Sequence, residues 1–137
     1  MAVLLDTSVL IAAEEGPDED AAISVVSLTE LHFGVLVAPD DETRALRMKR
    51  LGSIEDHFDA LPFDAAAARE CGRLHALVAK RGGQPRRRAL DLAIAATASV
   101  HGVPLLTYNT KDFQILAGEV DVRDPSDIPN TPAASER

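Results

Sequence analysis

The sequence is poor in the residues that characterise disulfide-stapled and membrane-spanning proteins. Its 137 residues include a single cysteine, Cys71, so no internal disulfide can form, as is usual in a reducing compartment. Cys71 falls in the apolar row of a predicted helix, where we expect a buried thiol. No apolar run approaches the roughly 20 residues that cross a bilayer, and no basic segment precedes the first apolar run. We therefore expect a cytoplasmic protein with no signal peptide and no membrane association.

Aromatic side chains and positive charge are also scarce. Tryptophan is absent, tyrosine occurs once, and aromatic residues make up 4% of the chain, which argues against extensive base stacking. The formal net charge is -8, so the surface as a whole does not attract polyanions. Two local basic runs remain, "RALRMKR" at 44–50 and "KRGGQPRRR" at 80–88. Each is either a solvated surface or a local binding strip.

The apolar residues follow strand-like and helix-like patterns in alternation. Short runs rich in Val, Leu and Ile predict strands at 2–5, 22–27, 103–108 and 119–124. Helical patterns lie between them, at 7–15, 28–38, 65–80 and 89–102, and the charged segment 40–58 is either a helix pair or one broken helix. This alternation predicts an α/β domain with a mostly parallel sheet covered on both faces. We expect one domain over 1–125 and a flexible tail over 126–137.

Three acidic residues follow predicted strands, at the edge of the sheet where open α/β folds bind ligands. Asp6 follows the first strand, Glu30 the second, and Asp112 the strand at 103–108. Each also has a structural interpretation. Asp6 is a good N-cap residue, and "SLTE" at 27–30 matches a capping box. Asn109 or Thr110 is a candidate cap for the helix that holds Asp112, whose charge favours the positive end of a helix.

A fourth acidic residue, Asp91, lies near the start of the most apolar helix. Ala95 and Ala98, one and two turns further on, suit close packing rather than solvent. An ionised carboxylate in such a place requires a cationic partner, and the two candidates are a metal ion and the nearby Arg88.

A metal site follows if the four carboxylates converge, because like charges at close range need compensation. The chain has no cysteine cluster and no histidine pair at ligand spacing, and oxygen ligands alone select Mg²⁺ or Mn²⁺. Such ions commonly act on phosphates, activating water and stabilising the displaced oxygen. Ser8, Thr107 and Asn109 would add neutral hydrogen-bonding groups on the same rim.

Four motifs resemble, in order, the successive motifs of the PIN domain, and in particular those of VapC-type toxins from bacterial toxin–antitoxin pairs. They are "LLDTSVL" at 4–10, "SLTELHFG" at 27–34, "LDLAIAATA" at 90–98 and "LLTYNTKDF" at 105–113. The resemblance extends over most of the chain and weakens through 38–64 and in the tail. It implies a three-layer α/β/α sandwich with a central parallel sheet.

The resemblance also implies an activity and a set of site residues. The family's four acidic positions, which hold Mg²⁺ or Mn²⁺, match Asp6, Glu30, Asp91 and Asp112, and its supporting polar positions match Ser8, Thr107 and Asn109. Members are ribonucleases that cut structured cellular RNA (tRNA or rRNA), leaving a 5′-phosphate and a 3′-hydroxyl. They usually form homodimers and are inhibited by a small antitoxin. For an RNA substrate, we expect Arg86, Arg87 and Arg88 to bind phosphates beside the site.

Two other functions compete with this interpretation. A catalytically silent module of the same fold would bind metal or RNA without cutting, and it would tolerate substitution of Glu30 and Asp112. A phosphoacceptor domain also gathers acidic residues at strand ends, but it needs an acidic pair after the first strand, and Asp6 is followed by Thr7 and Ser8. The segment 41–58 is either a partner-binding surface or an ordinary amphipathic helix.

Overall fold

Over residues 3–12 and 20–127, which the computed structural model describes, the chain forms one five-stranded, all-parallel sheet in the order β3-β2-β1-β4-β5. The strands are β1 (Val3–Leu5), β2 (Ala21–Ser24), β3 (Asp59–Leu61), β4 (Leu105–Leu106) and β5 (Val122–Arg123). The predicted parallel sheet is confirmed.

Five α-helices accompany the sheet in the described part of the chain. They are α1 (Thr7–Ala12), α2 (Val25–Leu36), α3 (Asp41–His57), α4 (Ala65–Lys80) and α5 (Ala89–His101). Three short 3₁₀ helices lie at Pro85–Arg88, Thr110–Leu116 and Pro125–Asp127. Within the described residues, none of the helices is long and apolar enough to cross a membrane.

The inner strands β1, β2 and β4 bury both faces of the sheet, because consecutive side chains point to opposite sides. Leu4 and Leu105 join one apolar cluster with residues of α4 and α5, whereas Leu5 and Leu106 join a second cluster with residues of α1 and α3. The chain is therefore a three-layer α/β/α sandwich, as predicted.

The helix predicted at 65–80 is confirmed, and its start and inner face follow from local chemistry. Asp64 caps its first turn by accepting a hydrogen bond from the Ala67 backbone N–H, at 3.0 Å. The four residues of its predicted apolar row are all buried, namely Ala67, Cys71, Leu74 and Val78. The Cys71 thiol is thus a core group, and its burial raises its pKa.

The helix predicted at 89–102 ends as expected. Gly102 adopts a φ of 65°, a left-handed conformation that glycine accepts without strain.

Between α4 and α5, Gly83 is required because of close packing. A Cβ on Gly83 would lie 2.5 Å from Ile115 Cδ1 and 2.7 Å from Val78 Cγ1, so only glycine fits the turn that leads into Pro85–Arg88.

The strand predicted at 22–27 is wrong beyond Ser24. Val25 and Val26 belong to α2, although β-branched residues favour strands, because Ser24 caps the helix by accepting a hydrogen bond from the Val26 N–H. The predicted capping box at 27–30 is wrong for the same reason, since Ser27 lies inside the helix and is buried.

The charged segment 40–58 forms one continuous helix, so the predicted break and the helix pair are both wrong. Asp40 caps α3 with a 2.7 Å hydrogen bond from the Thr43 N–H. Of its apolar residues, Leu51 and Ile54 are buried, while Leu46 and Met48 remain exposed.

Other differences concern strand lengths and one missed strand. β3 was not predicted, because Asp59–Leu61 is a short edge strand with two exposed residues. β4 and β5 each contain only two residues, fewer than the predicted segments. The predictions for residue 2, for 13–15 of the first helix and for the tail from 128 onward lie outside the described residues.

Candidate active site

The candidate site lies where the strand order changes direction. From β1 the chain continues to β2 on one side, and later returns to place β4 on the other side of β1. Ligands of open α/β sheets bind at such a switch point, beyond the carboxyl ends of the strands. Asp6 directly follows β1 and Thr107 directly follows β4, so these two side chains occupy the switch point.

Asp6 is buried and held by hydroxyl groups. Only 4% of its surface is exposed. Its Oδ2 accepts hydrogen bonds from Ser8 Oγ and Thr107 Oγ1, both at 2.8 Å. It also accepts a longer one from the Ser8 N–H, at 3.4 Å. Asp6 therefore caps α1, and the two hydroxyl groups fix the orientation of its carboxylate.

The predicted polar residues contribute in different ways. Ser8 Oγ and Thr107 Oγ1 lie 3.2 Å apart, and both hydroxyls contact Asp6. Asn109 donates its backbone N–H to Thr107 Oγ1, at 3.0 Å, while Tyr108 donates its own to Ser8 Oγ, at 3.1 Å. Among the described residues, the side chain of Asn109 makes no hydrogen bond, and it does not cap the 3₁₀ helix that follows.

Glu30 lies in the second turn of α2 and is tied to the first helix. The Thr7 hydroxyl donates to Glu30 Oε1 at 2.7 Å and also lies 3.0 Å from Ser27 Oγ. Thr7 was not among the predicted site residues. Its position in "DTS", directly after Asp6, could have indicated a place in the site.

Asp91 brings the four carboxylates into one electrostatic site. Burial and the charges of Asp6, Glu30 and Asp112 together raise the pKa of Asp91 to about 6, against the opposing charge of Arg88. Ala95 and Ala98 are fully buried beneath it, as their spacing predicts. The charges of three acidic residues from separate segments therefore all act on Asp91.

Arg88 connects two of these carboxylates. Its Nη1 lies 3.1 Å from Asp112 Oδ1 and 3.9 Å from Asp91 Oδ2. The predicted pairing of Arg88 with Asp91 is therefore present. The pairing of Arg88 with Asp112 was not predicted. Arg86 and Arg87 are exposed and have no ion pair with any residue in the described ranges. The three arginines are thus not equivalent.

The donor set fits a hard divalent cation. All four acidic groups supply oxygen, Asp6 is fixed by two hydroxyls, and a cation would relieve the repulsion that raises the pKa of Asp91. Within 3–12 and 20–127, no group of three or more acidic, histidine or cysteine side chains is placed closely enough in this structure to hold a metal ion. Asp112 instead contacts Arg88.

Comparison with known proteins agrees with this geometry. The model of the PIN domain matches residues 3–119. The chain belongs to the PIN-domain family. Within that family it is a VapC-type toxin. It is 41% identical over 126 residues to ribonuclease VapC5 of Mycobacterium tuberculosis, covering 87% of this chain and 90% of the relative.

Two further PIN-domain relatives are informative. The tRNA(fMet)-specific endonuclease VapC of Shigella flexneri is 32% identical over 99 residues, which is 70% of this chain and 69% of that protein. A solved structure of VapBC-5, a member of the VapBC family of toxin–antitoxin systems from Mycobacterium tuberculosis, has a TM-score of 0.76 at 40% identity. It covers 90% of this chain and 96% of that one.

Proposed function

We propose that this VapC-type chain is a Mg²⁺- or Mn²⁺-dependent endoribonuclease that hydrolyses structured cellular RNA. The observation that carries the proposal is the convergence of Asp6, Glu30, Asp91 and Asp112 at the topological switch point. A half-buried carboxylate whose charge is disfavoured by three others has no evident structural purpose, and it is typical of a functional site.

Asp6, Asp91 and Asp112 would hold the metal ion, and Glu30 would either join them or position the attacking water. When bound, a divalent ion lowers the pKa of water and stabilises charge on the displaced oxygen. The chain's own contribution is orientation. Ser8 and Thr107 fix the Asp6 carboxylate through one oxygen, leaving the other available.

Glu30 is suited to accept a proton. Its Oε1 receives the Thr7 hydroxyl, which fixes the carboxylate on the side of α1 and leaves Oε2 without a hydrogen bond among the described residues. A general base must lie within reach of the proton that it removes, and Glu30 lies beside the other carboxylates. By family likeness, water would attack the phosphorus in line and the P–O3′ bond would break, leaving a 5′-phosphate and a 3′-hydroxyl.

We propose tRNA or rRNA as the substrate class, acted on in the cytoplasm. The Shigella relative is named for a tRNA, and structured RNA presents unpaired loops whose backbone is accessible. Arg86 and Arg87, exposed in the 3₁₀ helix that precedes α5, would bind phosphates on either side of the cut.

We also propose a cognate antitoxin and a homodimer. The related VapBC-5 structure is that of a toxin–antitoxin system, which supports a small protein partner for this chain. The homodimer rests on family likeness alone.

Cleavage of total cellular RNA by the purified chain, freed of any partner, tests the proposal. With Mg²⁺ or Mn²⁺ we expect discrete fragments, sequenced to locate the cut and to identify the end groups. A chelator should abolish them. Asp91→Asn, which keeps the side-chain shape and removes the charge, should reduce the rate at least a hundredfold because it removes a metal ligand.

Two results would count against the enzyme. Cleavage that persists in chelator or in Asp91→Asn would remove the metal mechanism. RNA binding without products, under every metal, would favour the catalytically silent module.

A further inference from the structure

Tyr108 is an exposed aromatic residue on the rim of the acidic site. It is the only tyrosine of the chain, and the chain has no tryptophan. It is 50% exposed, and its hydroxyl has no hydrogen-bond partner among the described residues. An aromatic side chain left half in water contributes little to the core, so its position requires another explanation.

The backbone of Tyr108 is fixed to the site by two successive hydrogen bonds. Its N–H donates to Ser8 Oγ at 3.1 Å, and Ser8 Oγ in turn contacts Asp6 Oδ2 at 2.8 Å. The preceding Thr107 is fully buried and binds the same carboxylate. The exposed ring is therefore carried by a rigid piece of main chain at the carboxylate cluster, a geometry that costs little entropy on binding.

Single-stranded RNA binds proteins through basic groups on its backbone and aromatic rings on its bases. In a chain of net charge -8, the phosphate contribution to affinity is limited to a few local arginines. Stacking adds affinity that is insensitive to salt, and Asp112, four residues after Tyr108, contacts Arg88 at the end of the arginine run. The segment that begins at Tyr108 thus reaches the arginine run through Asp112.

We infer that Tyr108 stacks on an unpaired RNA base adjacent to the phosphodiester held by the carboxylates. This inference rests on the proposed function, and it makes an unpaired nucleotide at the cleavage site a requirement. The low aromatic content argues against base stacking over the whole surface, and the inference limits stacking to one residue, Tyr108.

The chain provides its own probe, because all of its tyrosine fluorescence comes from Tyr108. The full chain carrying Asp91→Asn is titrated with a short single-stranded RNA and with a blunt duplex RNA of similar charge. We expect quenching of tyrosine emission by the single strand and much less by the duplex.

Affinity measurements with the same RNA complete the test. Tyr108→Ala should weaken single-strand binding roughly 5- to 150-fold without changing its salt dependence, whereas Tyr108→Phe should stay within a few-fold. Phe63→Ala is the matched control, an exposed aromatic beyond β3 at the sheet edge, and it should bind like the parent chain.

Failure of the stacking inference and failure of the proposed function give different results. Cleavage by the wild-type chain together with unchanged binding and no quenching in these assays would overturn the stacking inference and leave the proposed function intact. A wild-type chain that neither binds nor cuts RNA would overturn both. Weakening by Tyr108→Phe equal to that of Tyr108→Ala would overturn stacking in favour of a hydroxyl contact.

Discussion

At the scale of single residues, Asp91 shows a conflict between stability and function. Its side chain is one-third exposed, and it is surrounded by three other carboxylates, with Arg88 as the cation that opposes them. The charge at neutral pH is therefore unfavourable for folding until a cation compensates for it. Conflicts of this kind are commonly found at functional sites.

Asp91→Asn should stabilise the fold in the presence of chelator above about pH 4, with the full gain reached above about pH 6. The pKa of Asp91 in the folded protein, about 6, lies above its ordinary value of 3.8. Folding therefore favours the protonated form, and the stability that this contributes is complete below about pH 4 and is lost as the pH rises through 6. With 34% of the side chain exposed, solvent screening reduces the expected gain at pH 8 to roughly 1 to 2 kcal/mol.

Urea unfolding at pH 4 and pH 8 measures this difference. The variant should match the wild-type chain at pH 4 and exceed it at pH 8. An equal effect at both pH values would show that the charge of Asp91 is not the cause.

At the scale of elements, the 3₁₀ helix Pro85–Arg88 places three consecutive arginines in two environments. Arg88 is half-buried against Asp112 and Asp91, whereas Arg86 and Arg87 face solvent. The turn before this helix packs closely at Gly83, where a Cβ would lie within 3 Å of Val78 and Ile115 side-chain atoms.

This division predicts different effects for neighbouring arginines. Arg86→Gln and Arg87→Gln should each weaken RNA binding and reduce the slope of log K against log salt by about 1, because each removes one phosphate contact. Arg88→Gln should leave that slope nearly unchanged and lower the cleavage rate instead, since its charge is already paired with the site. Filter binding from 50 to 300 mM salt separates the two. A slope that falls equally in all three variants would contradict the division.

The helices that pack on the sheet were the predictable elements. The apolar row of α4 and the end of α5 at Gly102 agree with the structure, so the sequence pattern was sufficient there. The start of α2 could not be predicted from residue propensities. Val25 and Val26 favour strands, but they form the first turn of a helix that Ser24 caps. β3 could not be recognised either, since an exposed three-residue edge strand carries too little apolar signal.

At the scale of the whole molecule, the site exists only through the topology. Thr107 and Asp6 are separated by 101 positions in sequence and joined by one hydrogen bond, because β4 pairs with β1. The sequence identified three acidic residues that follow strands and a fourth, Asp91, at the start of a helix, but it could not show by itself that they converge. The contacts of Thr7 with Glu30 and of Arg88 with Asp112 depend on side-chain geometry, which no spacing rule supplies.

Calorimetric titration with Mn²⁺ tests whether the four carboxylates form one cation site. The wild-type chain should bind Mn²⁺, and Asp91→Asn should bind it at least tenfold more weakly. The matched control is Asp121→Asn, which removes an exposed carboxylate paired with Arg123 before β5, away from the cluster. It should bind Mn²⁺ like the wild-type chain. Equal Mn²⁺ affinity in the wild-type chain and Asp91→Asn, or an equal loss in both variants, would contradict a single site built from these residues.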